Sequence, residues 1–392
     1  MSTQPPNAPS TQPLSGVRVL DFTRVLAGPY CTAMMADLGA DVIKVEAAHG
    51  DDYRHIGPFK DGESLLFQAI NRGKRSIALD LKSPDAIATV KALLAECDVL
   101  IENFRPGVMA KLGLSYDALR KEFPHLVYVS VSGFGQTGPN TKQPAYDIIV
   151  QAMSGLMDAT GEPDGAPTMV GEALGDVAGG LFAAWGTMVA LFERTKTGQG
   201  RHVDVALFDG LLSMMPILAC RTLMGGEAPV RTGNRHPLSA PFGTYPAADG
   251  HFALAVLNDR LFATFCAVIG QPDLVQDARF ASDPLRRENE PALAEYIDGW
   301  AGALPVDQVV DHLSAAGIPA SPIQSVAEAW ASSQAVERGL ASTVTHPDLG
   351  VLNVPEQPVH FNGVPRGGRK PAPALNADAG DILNSSNKEQ GA

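Results

Sequence analysis

The stretch best equipped for chemistry is Gly171-Glu-Ala-Leu-Gly175-Asp176-Val-Ala-Gly179-Gly180, which runs straight into an apolar segment ending at Phe192. A carboxylate among glycines at the mouth of a buried helix is open to a bulky electrophile, and so is a candidate nucleophile for acyl transfer. The same position suits a plain helix N-cap, a role that aspartate often fills and that stabilises a helix by about 1 kcal/mol. Local sequence leaves both readings open, because capping does not exclude nucleophilic work.

Three further motifs bear on a ligand. In Ala27-Gly28-Pro29, proline suits the start of a helix, and the free N–H groups that follow form an anion-ready end. Asn71-Arg72-Gly73-Lys74-Arg75 is a basic cluster, either a solvated charge run or a fork for a phosphorylated ligand. Asn103-Phe104-Arg105-Pro106-Gly107 follows directly on a strand, at the edge where such sheets bind ligands, and its ring either carries a base or caps the core. By contrast, Gly133-Phe-Gly135-Gln-Thr-Gly138 satisfies a dinucleotide pattern, but Pro139 and Pro144 obstruct the helix that should meet the pyrophosphate, so a shape-forming loop is expected.

The elements that must position these residues alternate. Val17–Phe22 reads as a strand, Tyr30–Leu38 as a helix and Asp41–Glu46 as a strand. Strands follow over Ser76–Leu81, Asp98–Glu102, Leu126–Ser132 and Arg201–Leu207, with a helix from Pro84 to Glu96 among them. Such alternation implies an α/β fold with a mostly parallel, doubly wound sheet. From Gly225 to Gly250 the chain turns rich in Gly and Pro, which marks the start of a smaller domain. The expected division is a disordered lead-in over 1–13, a large Rossmann-like domain over 14–224, a small domain over 225–325, and a return to the large domain with a tail over 326–392.

Composition narrows the class. With 392 residues and 45% apolar types the chain can bury two cores, and a net charge of −13 argues against general attraction to nucleic acid or anionic membrane. Cys31, Cys97, Cys220 and Cys266 are far apart and lack metal-ligand spacing, so reduced thiols and no metal are expected. The first residues have no basic start or apolar core, so a cytoplasmic protein is expected. Ala178–Phe192 falls short of the roughly 20 residues that span a bilayer and is read as a buried helix.

Five ordered motifs, Pro13–Pro29, Leu38–Glu46, Asn71–Ile77, Glu102–Gly107 and Gly175-Asp176, together resemble the class III coenzyme A transferases, the CaiB/BaiF type. The resemblance implies a Rossmann-like large domain built from both chain ends, a smaller domain between them, and an interlocked homodimer. It aligns Asp176 with the nucleophilic aspartate of the family. It likewise aligns Val25, Arg75, Leu79, Asn103, Phe104, Lys111, Leu112 and Tyr146 with contacts to coenzyme A. Acyl-CoA and a carboxylic acid are the implied substrates, with no metal and no nucleotide cofactor.

The sequence departs from the oxalate-specific pattern at Leu26, Ala47 and Pro144, which argues against oxalate as acceptor. Arg235 and His236 are instead candidates for holding a second carboxylate, which points to a succinate-like dicarboxylate. Acyl-CoA racemases of the same superfamily carry a His-Asp pair where this chain has Tyr146-Asp147. A phenol of pKa near 10 is a poor proton shuttle at neutral pH, so transfer is favoured over racemisation. A non-catalytic acyl-CoA binding protein is the remaining alternative. Backbone N–H groups near Gly179 and Gly180 are the expected oxyanion donors.

Overall fold

The computed structural model describes residues 12–389. Most of the expected lead-in over 1–13 therefore lies outside the described residues. The chain divides into two compact units, one made of residues up to Leu156, Met169–Gly226 and Ser333 onward, the other of Met157–Thr168 and Glu227–Ser332.

In the first unit, β1 (Arg18–Asp21), β2 (Asp41–Glu46), β5 (Arg75–Ala78), β6 (Val99–Glu102), β7 (Val127–Ser132) and β8 (His202–Ala206) form one sheet, while β3 (Phe59–Lys60) and β4 (Glu63–Ser64) make a short hairpin beside it. The sheet order is β5-β2-β1-β6-β7-β8, with every pairing parallel. Its strands are apolar on both faces, as helices on both sides require. Val19, Val42, Val99 and Val127 join one core, and Leu20, Ile43, Leu100 and Tyr128 the other. The chain builds outward from β1 in one direction and then from β6 in the other. The switch point of the fold, where ligands of such sheets sit, therefore lies at the carboxyl ends of β1 and β6.

Two helices close over one face of the sheet. The first spans Ala27–Asp37, so Ala27, Gly28 and Pro29 form its first turn and not a separate turn before Tyr30. The second, Leu174–Thr197, has 24 residues and packs on the first helix and on β7 and β8. Gly180 lets the two helices touch, since a Cβ there would stand 2.6 Å from the Ala27 carbonyl oxygen and 3.0 Å from the Tyr30 ring. By length and composition this second helix is apolar enough to cross a membrane. It is not buried all round: Ala178, Ala183, Thr187 and Ala190 face the core, while Leu181, Trp185, Val189 and Phe192 are exposed. The glycine pattern after β7 is followed by loop until a helix at Asp147–Met153, with Gly135 and Gly138 at positive φ, so it serves shape. The segment from Ser333 adds the hairpin β12 (Ala341–His346) with β13 (Gly350–Pro355).

The second unit has its own core. A three-stranded antiparallel sheet of β9 (Phe242–Pro246), β10 (His251–Ala255) and β11 (Ala320–Pro322) packs Tyr245, Phe252 and Leu254 with Phe262, Phe265 and Phe280. Arg231 joins Met157–Thr168 to this unit by donating to the carbonyls of Asp158, Glu162 and Gly165.

Candidate active site

The loops after β1 and β6 meet at the switch point. Arg24 and Asn103 exchange two hydrogen bonds there, and the next residue, Val25, sits at φ 67° with its N–H donated to Asp51 at 3.0 Å. A β-branched residue in that region is a true outlier, so the loop is held against its own preference. Asp51 is itself fixed, accepting from the Tyr53 N–H and lying 2.8 Å from the buried Lys44 ammonium.

Val25, Asn103 and Tyr146 line a cavity of about 150 Å³ together with Arg24, Ala27 and Leu207. Beside it, sharing Arg24, a larger cleft of about 480 Å³ is lined by Phe22, Leu79, Leu81, Phe104, Val108 and Leu112, with Lys82 at its edge. Six of the eight residues aligned with coenzyme A contacts thus fall on two adjoining hollows at the carboxyl edge. Lys111 is exposed and adjoins Leu112. Ala47, where the resemblance leads one to expect arginine, also lines the larger cleft. Lys82 was not foreseen; its signal was a lysine three residues after Leu79, just past the strand end.

Arg75 lies elsewhere. It sits at the start of β5 and forms a two-pronged ion pair with Asp41, at 2.8 and 2.5 Å. The whole basic cluster is spent in this way, against both readings offered for it. Arg72 is buried against Asp37, with its Nε 3.0 Å from Oδ1. Lys74 is buried and reaches Asp21 at 3.2 Å and Asn71 at 2.8 Å. Desolvation lowers the Lys74 ammonium to about 8 although Asp21 opposes the shift. Arg72 and Lys74 are enclosed and Arg75 is part-exposed, and each of the three is paired with an aspartate.

Asp176 stands in the first turn of the Leu174–Thr197 helix, two residues after Leu174, and the capping position belongs to Ala173. The capping reading of Asp176 therefore falls. Asp147 does the capping from the neighbouring helix: its Oδ1 accepts from the N–H of Gly175 at 2.7 Å and faces the N–H of Asp176 at 3.4 Å. Leu174 donates to the Glu172 carbonyl at 2.8 Å and Val177 to the Ala173 carbonyl at 3.0 Å, so the free amides of this helix end are consumed. Among the described residues no hydrogen bond or ion pair engages the Asp176 carboxylate, and it is half-buried. Burial, with the Asp147 charge second, pushes its pKa up to about 7. Tyr53 lies in the same electrostatic neighbourhood; burial and the carboxylates of Asp176, Asp51, Glu172 and Asp147 push its phenol up to about 12. It remains a protonated donor at neutral pH.

Gly179 and Gly180 cannot supply oxyanion donors. Both are buried beyond the first turn, where N–H groups bond within the helix, and a Cβ at Gly179 would stand 2.2 Å from the Leu207 side chain. They are packing glycines. Gly175 leaves room for Asp147, which a Cβ would approach to 3.0 Å.

In the second unit, Arg235 donates to Glu290 at 2.6 Å and lies 4.2 Å from the centre of the Tyr245 ring, while His236 stacks on Phe242 at 4.5 Å. Arg235 is thus held by an internal carboxylate, whereas His236 uses its ring face on Phe242 and its Nδ1 for the Leu238 N–H at 3.3 Å.

The family described as CoA-transferase family III matches residues 14–379. An acetyl-CoA:oxalate CoA-transferase of Acetobacter aceti is 44% identical over 353 residues, covering 90% of each chain. A succinyl-CoA:glutarate CoA-transferase of Mus musculus is 37% identical over 376 residues, 95% of this chain and 86% of the other. Among solved structures, a CaiB/BaiF family protein from Brucella suis superposes with a TM-score of 0.84 at 37% identity, covering 96% of this chain and all of that one.

Proposed function

The chain belongs to CoA-transferase family III, and we propose that it moves coenzyme A from a succinyl-CoA-like donor to a short carboxylic or dicarboxylic acid through an aspartyl-CoA intermediate at Asp176. One observation carries the reading. The Asp176 carboxylate is left unbonded at a helix end that another carboxylate already caps.

A carboxylate oxygen of Asp176 attacks the thioester carbonyl carbon, the C–S bond breaks, and a mixed anhydride and the CoA thiolate result. The thiolate then attacks the aspartyl carbonyl and expels the donor acid as its carboxylate, which leaves a thioester on Asp176. The acceptor carboxylate attacks that thioester, releases the thiolate and forms a second anhydride. Attack of the thiolate on the acceptor's acyl carbon gives the new acyl-CoA and restores Asp176. Over the full cycle one acyl-CoA thioester is exchanged for another, the higher-energy anhydrides being transient, so no external energy source enters. Leu79, Phe104 and Leu112 offer apolar surface for the CoA moiety, and Lys82 a cation for its phosphates.

The acceptor is a short acid. Oxalate, set aside on Leu26, Ala47 and Pro144, returns to the candidates because a similar protein is named for it. The dicarboxylate expectation now rests on relatives named for glutarate and mesaconate, since Arg235 is engaged by Glu290. The exposed apolar side chains Leu181, Trp185, Val189 and Phe192, aligned on one helix, support a homodimer.

The test is mass spectrometry of the peptide containing Asp176 after incubation with succinyl-CoA or acetyl-CoA, with hydroxylamine as trap. A covalent adduct on that peptide, absent in Asp176→Ala, is expected. Transfer to oxalate, glutarate or mesaconate by the Asp176→Ala protein would refute the reading.

A further inference from the structure

Asp147 attracted notice in the sequence only as half of a Tyr-Asp pair that contrasts with a His-Asp pair, and the scheme above gives it no step. Its surroundings are nevertheless built around it. Gln151, fully buried one turn further along the same helix, donates to Asp147 Oδ2 at 2.6 Å and to the Glu172 carbonyl at 3.2 Å, and accepts from the Val170 N–H at 3.0 Å. One glutamine thereby ties the segment before the long helix to the carboxylate that caps it. The remaining Asp147 oxygen receives the N–H of Gly175, and the absence of a side chain at Gly175 is what permits the approach.

We propose that Asp147, braced by Gln151, is a positioning residue for acyl transfer: by taking the helix-end amides that Asp176 would otherwise cap, it keeps the Asp176 carboxylate unbonded and available to the thioester. The inference rests on the reading of Asp176 as nucleophile. An aspartate in the first helical turn ordinarily finds a favourable partner in the free N–H groups and the positive end of the helix dipole, and both stabilise the ion. Here Asp147 uses the amides and adds a second negative charge beside the first. The ionisable groups around Asp176 point the same way. They are Asp147 on the neighbouring helix and Tyr53 on the loop after β2, and the Tyr53 phenol is in turn acted on by Asp51, Glu172 and Asp147. A carboxylate deprived of partners is a better nucleophile than one engaged in hydrogen bonds, and charge repulsion is relieved when it becomes an ester-like anhydride.

Two variants of the full chain test this. Asp147→Asn keeps an amide oxygen for the Gly175 N–H but loses the charge. Asp147→Ala loses both. The acid limb of the kcat profile should move to lower pH by about half a unit or more in Asp147→Asn, with Tm close to that of the parent protein. In Asp147→Ala, kcat should fall at least about tenfold while KM for acyl-CoA stays within about twofold, because the apolar cleft is untouched. A merely structural Asp147 would lower Tm in both variants and leave the acid limb in place. That result, or an Asp147→Asn profile superimposable on the parent's, overturns the proposal; should Asp147→Ala fail to fold, Asp147→Asn alone decides. Adduct formation on the parent protein is followed in parallel. If the parent forms no adduct, the nucleophile assignment fails. If it does and the limb is unmoved, only the role of Asp147 fails.

Discussion

Asn103 holds Arg24 by both of its main-chain groups: the Arg24 N–H donates to Asn103 Oδ1 at 3.0 Å, and Asn103 Nδ2 donates to the Arg24 carbonyl at 2.8 Å. This clasp joins the carboxyl ends of β1 and β6 at the point where the sheet reverses its winding. With Asp51 on the other side, it secures Val25 in a conformation that costs about 1–3 kcal/mol for a branched residue.

Asn103→Ala removes both bonds and frees Val25 to relax. A loss of stability of about 1–3 kcal/mol in urea denaturation is expected, together with a fall of roughly tenfold in kcat/KM. An unchanged kcat/KM would show that the loop conformation does not matter to the reaction.

The raised pKa of Asp176, about 7 against 3.8 for the free side chain, has a definite sign. The folded state holds its proton more tightly than the unfolded chain, so this group makes stability fall as pH rises between those two values and adds no further change above them. Asp176→Asn should therefore be more stable than the parent at pH 8, by on the order of 2 kcal/mol, with the difference vanishing below pH 4. The proposed aspartyl scheme requires the ionised carboxylate, so kcat should climb through pH 7. Paired thermal melts and initial rates across pH 4–9 check both.

Lys74 and Asp21 are both fully enclosed and 3.2 Å apart. Removing one partner of such a pair leaves a buried charge, so Lys74→Met should cost about 3–5 kcal/mol, read as a lowered urea midpoint. A solvated or phosphate-binding lysine would change stability little.

Arg75 and Phe104 were both aligned with coenzyme A contacts, and the structure separates them. Arg75→Ala breaks a part-exposed pair with Asp41 and should cost at most about 1 kcal/mol while leaving KM for acyl-CoA unchanged. Phe104→Ala removes a ring from the apolar cleft and should raise that KM about tenfold with a smaller effect on kcat. Steady-state kinetics of the two proteins side by side distinguish the positions.

What the sequence by itself determined was what short-range pattern encodes. Alternating apolar runs and helix periods specified a doubly wound sheet, and Asp41–Glu46 was legible residue for residue. The Gly175-Asp176 motif, set among four others in order, was enough to single out the Asp176 carboxylate as a candidate nucleophile. Only tertiary structure could decide where charges go. Arg72, Lys74 and Arg75 read as a cluster along the chain, yet Asp37, Asp21 and Asp41, each more than thirty positions away, neutralise them. Arg235 likewise looked free until Glu290 was folded onto it. The capping of the Asp176 helix by Asp147 spans 28 residues to Gly175 and appears in no local propensity. Secondary structure follows from neighbours within a few residues, whereas ion pairs and caps depend on which distant groups folding brings within about 3 Å, a distance that no local pattern carries.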